Sequence, residues 1–105
     1  MSFAVTVRYQ IDPDQFAPFI KRLIEFATLA TERESGCQRC DVATDPKLLG
    51  EVFLFKVFDI RADYEAHLAT DHYRDCEVAT AGMIRTKVLQ TYSRVITRPD
   101  PDATA

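Results

Sequence analysis

The chain has 105 residues, 47% of them apolar, and a net charge of −3 with acidic and basic side chains interspersed. That length holds one compact domain with a modest core. It leaves no basic stripe for nucleic acid, no run near the ~20 apolar residues of a membrane helix, and no export leader in "MSFAVTVRYQ". Three cysteines, an odd count without such a leader, fit a reducing cytoplasm rather than a disulfide framework.

Phe3, Val5, Val7 and Tyr9 alternate with Thr6 and Arg8, which predicts a half-buried strand. In "IDPDQF", Asp12 is placed to cap a helix, Pro13 to open it and Gln15 to answer the cap. Phe16, Phe19, Ile20, Leu23, Ala27 and Ala30 then recur at three- and four-residue steps, an apolar stripe that Ser35-Gly36 ends. A second strand is expected over 37–44, a turn in "TDPKLLG", and a third strand over 51–60, "EVFLFKVFDI". Both faces of that third strand are apolar, broken only by Lys56. A second helical run covers 61–81 and stops at Gly82, and a last strand covers 86–96. Residues 1–98 therefore form a single domain, with 99–105 a flexible C-terminal tail interrupted by prolines.

The order βαββαβ is the ferredoxin-like, α+β arrangement: an antiparallel four-stranded sheet with both helices on one face. The doubly apolar third strand needs cover on its other face as well. A second copy of the sheet is the economical cover, which predicts a homodimer.

Cys37 and Cys40 have the Cys-x-x-Cys spacing of redox dithiols and zinc sites. On a regular strand they point to opposite faces, too far apart for a disulfide or a shared metal. Buried small side chains are the expected role. Chemistry is better placed in "ADYEAHLATDHYRDC", residues 62–76, which holds both histidines. Tyr64 and His67 are neighbours on one helix face, and Asp63 and Asp71, four residues to either side, can hydrogen-bond the His67 ring. His67 and His72 are five apart, not the four of a helical metal pair, so no metal site is expected. Thr70-Asp71 can cap a restarted helix, which would give His72 and Tyr73 local capping and packing roles. Phe53, Phe55 and Phe58 read as core, or as the wall of an apolar ligand pocket. No phosphate-cradling glycine loop, dinucleotide fingerprint or nucleophile elbow is present, so no nucleotide or flavin cofactor is expected.

Gly36-Cys37, the aromatic third strand ending in Phe58-Asp59, "YEAHLATDHYRD" and "VLQTYSRVI" resemble the antibiotic biosynthesis monooxygenase family, closest to its quinol monooxygenase-like members. The resemblance runs over about 3–96, and Tyr-x-x-His-Leu-x-Thr-x-His at 64–72 is its most specific part. It implies a dimeric α/β barrel and a cofactor-independent monooxygenase that oxidises a quinol-like or polyphenolic compound with O2. In that reading His67 is the base, Tyr64 binds the substrate oxygen, and His72, Tyr73, Phe53, Phe55 and Phe58 surround the substrate. The asparagine and tryptophan of the polyketide-oxidising members fall at Leu54 and Phe58. The asparagine, tryptophan and histidine of haem-degrading members fall at Val7, His67 and Glu77, so haem degradation is not expected. The alternatives are an isomerase acting through an enolate and a non-catalytic dimeric ligand-binding protein.

Overall fold

The computed structural model describes residues 2–96; the expected tail at 99–105 lies outside them. Strand β1 (Phe3–Ile11) leads through a 3-10 turn at Pro13–Gln15 into helix α1 (Phe16–Arg33). Strands β2 (Cys37–Ala43) and β3 (Glu51–Phe58) follow, then α2 (Arg61–Leu68), α3 (Asp71–Thr80), a 3-10 turn at Ala81–Met83 and β4 (Ile84–Tyr92). The sheet has the order β2-β3-β1-β4, antiparallel at every pairing, and is open rather than closed into a barrel. This is the expected ferredoxin-like α+β fold.

The alternation of β1 places Phe3, Val5, Val7, Tyr9 and Ile11 beneath the helices. Val52, Leu54 and Phe58 of β3 lie on the same face, and α1 closes over them with Phe19, Leu23, Phe26, Ala27 and Ala30. Fully burying Phe19 or Leu23 contributes about 2 kcal/mol each, so this seam carries much of the stability. Asp12 accepts a hydrogen bond from the Asp14 N–H, starting a 3-10 turn before the helix proper instead of the reciprocal box with Gln15. At Gly50 the turn into β3 needs a left-handed φ of 76°, and the Gly50 carbonyl accepts the Ile11 N–H at 2.8 Å.

The helix restart that Thr70-Asp71 allows is present, and the expected orientation of the two thiols is corrected. The second helical run is two helices, because Thr70 interrupts it: its Oγ1 donates to the His67 carbonyl at 2.8 Å and accepts the Tyr73 N–H at 3.2 Å. The thiols do not face opposite ways. A bulge at Gln38 shifts the β2–β3 register, so that Cys37 pairs with Phe58 and Cys40 with Lys56, both on the helix-covered face. Both are free and buried, and burial pushes Cys37 up to about 11 and Cys40 to about 12. Protonated thiols of this kind are inert packing groups.

Candidate active site

Four elements bring a row of titratable side chains into the space between helices and sheet. Lys56 comes from the inner face of β3; two-residue alternation from Val52 and Leu54 puts it there, and it is only 2% exposed. Its Nζ lies 3.2 Å from His67 Nε2 and 5.6–5.8 Å from the ring centres of Phe26, Tyr64 and Tyr73. Burial lowers the Lys56 pKa, and among the described residues no ion pair joins it to a carboxylate.

His67 sits on α2 at 0% exposure, packed on Phe58, Phe26 and Tyr73 with ring centres 5.0–5.3 Å away. Its Nδ1 meets both carboxylate oxygens of Glu34, at 3.0 and 2.9 Å. Glu34 is the C-cap of α1, its N–H bonded to the Ala30 carbonyl, so the helix end itself aims this carboxylate inward. A carboxylate only accepts, so Nδ1 carries the proton and the Nε2 lone pair receives the Lys56 N–H. Burial first, and Lys56 whenever it is in its ammonium form, lower the His67 pKa to about 4, outweighing the pull of Glu34. His67 is therefore neutral at pH 7, and its contact with Glu34 is a hydrogen bond rather than an ion pair.

Because the helix breaks at Thr70, His72 also reaches Glu34, with Nε2 2.5 Å from Oε2. Glu34, His67 and His72 thus place three ligand atoms within 4.8 Å of one another, a two-histidine, one-carboxylate set. Two atoms bound at right angles to one ion, each ~2.1 Å from it, stand about 3 Å apart. The His72–Glu34 separation is shorter than that, as befits a hydrogen bond joining the two groups directly.

The inner cavity is lined by Lys56, Tyr73, Tyr9, Phe26, Cys76 and neighbouring side chains, with Glu77 and Lys87 paired at 3.1 Å on its border. It measures about 20 Å³, room for roughly one water. Lys56 and Tyr73 face it; His67 stands one hydrogen bond behind Lys56. Tyr64 stacks on Phe3 and tilts against Phe58, walling the row rather than lining the cavity. Phe58 is fully buried against His67. Phe53 and Phe55 occupy the opposite face of β3, beneath the guanidinium groups of Arg8 and Arg39.

The aspartates flanking His67 are engaged elsewhere: Asp63 accepts the Ile60 N–H at the start of α2, and exposed Asp71 pairs with Arg74. Sequence reasoning missed Lys56 and Glu34. The period-two count along β3 could have found Lys56. Nothing local marks Glu34, whose histidine partners lie 33 and 38 residues away.

The architecture is shared with solved structures. A candidate antibiotic biosynthesis monooxygenase from Bacteroides thetaiotaomicron superimposes with a TM-score of 0.86 at 19% identity, covering 94% of each chain. One from Nitrosomonas europaea gives 0.84 at 19%, covering 90% of this chain and 91% of its own. Rv0793 from Mycobacterium tuberculosis gives 0.83 at 21%, covering 94% and 100%. At these identities the likeness shows the fold. No functionally curated protein matches the sequence. The sequence profile described as antibiotic biosynthesis monooxygenase matches residues 2–78, most of the chain, and the protein belongs to that family.

Proposed function

We propose that this protein oxidises a quinol-like or polyphenolic small molecule with O2, using its own side chains and no metal or organic cofactor. The observation that carries the reading is Lys56: a buried amine on the inner cavity, 3.2 Å from a neutral imidazole that is itself backed by a carboxylate. Burial shifts this amine toward its neutral form. In that form it takes a proton from the substrate, and the ammonium so formed hydrogen-bonds His67. In an anthrone the proton removed is one of the two on the activated ring CH2, carried on oxygen in the phenol tautomer. The phenolate left gives an electron to O2, and the two radicals combine at that carbon, which now bears one hydrogen. Lys56 returns its proton to the peroxide to give a hydroperoxide. The carbon then loses its remaining hydrogen as a proton while the O–O bond breaks. The departing hydroxide takes that proton to leave as water, and a carbonyl remains. Overall one carbon loses two hydrogens and gains one oxygen, and the second oxygen leaves as water.

In this scheme Lys56 is the catalytic base and His67 the positioning residue that directs it. Tyr73 is better placed than Tyr64 to meet the substrate oxygen. A cavity for one water does not admit an aromatic ring, so in this reading the side chains around it give way when substrate enters. The apolar outer face of the sheet, with Phe53, Phe55, Val88 and Tyr92, is the surface on which a second copy would pack. Free buried thiols agree with a reducing compartment such as the cytoplasm.

Incubating the protein with isotopically heavy O2 and a panel of anthrones and reduced quinols tests the chemistry. One heavy atom in the product is expected, and product free of the label excludes oxygenation. Lys56 also favours a second reading, an isomerase that removes a proton next to a carbonyl. Turnover that continues without O2 would select it.

A further inference from the structure

Lys56 has an environment unlike that of the other lysines. Lys21 and Lys47 are exposed, and Lys87 is paired with Glu77 at 3.1 Å. The Lys56 amine is 2% exposed, ringed by three aromatic side chains, and bonded to a ring nitrogen rather than to a carboxylate. An ammonium gains about 0.5–2 kcal/mol from aromatic faces, less than burial of an unpaired charge costs. The direction of its pKa shift agrees. Amines desolvated in this way are nucleophiles toward carbonyl carbon.

We propose that Lys56 forms an imine with small uncharged aldehydes that enter the inner cavity. The inference uses the same amine as the function proposed above but requires no O2. The neutral amine adds its lone pair to the carbonyl carbon, and a carbon–nitrogen bond forms as the carbonyl π bond breaks. The nitrogen loses a proton to His67 Nε2, the accepting atom 3.2 Å away, and the alkoxide takes one up to give a carbinolamine. The carbinolamine expels its hydroxyl as water, drawing the proton back through His67, and a carbon–nitrogen double bond remains. Amine plus aldehyde gives imine plus water, with no oxidant or reductant consumed. The apolar lining from Val7, Leu23, Phe26 and Leu54 disfavours a charged oxo acid. A space of about one water restricts the ligand to the smallest aldehydes, whose entry needs the side chains around it to give way.

The test is reductive trapping of the folded wild-type protein with acetaldehyde and cyanoborohydride at neutral pH without O2, followed by peptide mapping. Buried without a counter-charge and hydrogen-bonded to a neutral imidazole, Lys56 is expected to be ethylated severalfold faster than Lys21, Lys47 and Lys87. In the urea-unfolded chain all four should react alike, and Lys56→Arg should remove the fast site. Labelling of the surface lysines with Lys56 unmodified, or Lys56 reacting no faster folded than unfolded, overturns the proposal. Failure here with heavy-oxygen incorporation intact would defeat imine formation alone; trapping without oxygenation would defeat only the monooxygenase reading.

Discussion

Burying the Lys56 amine costs more than its aromatic neighbours return, so this residue is retained at the expense of the fold. Replacing it with a shape-matched apolar side chain removes a buried amine that has no counter-charge, a gain set against the hydrogen bond lost to His67 Nε2. Lys56→Met is expected to raise stability by about 1–3 kcal/mol in urea titration while abolishing turnover; a destabilised variant would show that the amine is well compensated. His67 links the same row to pH. The folded protein keeps it neutral down to about pH 4, whereas an unfolded histidine protonates near ~6.5. Between these values the unfolded chain holds the extra proton. Stability from this group is therefore fully present above about pH 6.5 and is lost as pH falls toward 4. The loss amounts to roughly 2–3 kcal/mol. Urea midpoints measured across that window should fall less steeply for His67→Gln than for the wild type, and equal slopes would contradict the assignment.

The elements meet where α1 ends. Glu34 caps α1, Gly36 turns the chain into β2, and a Cβ on Gly36 would collide with the Asp63 carboxylate that caps α2. Gly36→Ala should therefore displace Asp63, release the Ile60 N–H and cost about 1 kcal/mol in thermal denaturation. An unchanged melting temperature would mean that Asp63 moves freely. The strands and α1 were legible because period-two and three-four patterns are written in neighbouring residues, from Phe3 to Tyr9 and from Phe16 to Ala30. Thr70-Asp71 announced a possible helix restart, but only the structure shows that the restart turns His72 toward Glu34. The thiol parity was misread because a bulge leaves no pattern of its own at Gln38. Glu34 was hidden for a different reason: a long-range contact is a property of the fold, not of any window of sequence.

For the molecule as a whole, the helices cover one face of the open sheet. Phe53 and Phe55 remain half-buried on the other, with Val88 and Tyr92 exposed. Packing a second sheet there predicts a dimer in sedimentation at micromolar concentration, dissociated by Phe55→Glu; a wild-type monomer would contradict it. Family membership supports a monooxygenase-like function, and in the reading proposed above Lys56, backed by His67 and Glu34, is the proton acceptor. The most direct measurement is oxygen uptake by metal-stripped protein with reduced quinols and anthrones, for wild type, Lys56→Met and His67→Ala. The account predicts uptake that ignores chelators, disappears in Lys56→Met and falls at least ~10²-fold in folded His67→Ala. Uptake that survives both substitutions, or that returns only with added metal, would contradict it.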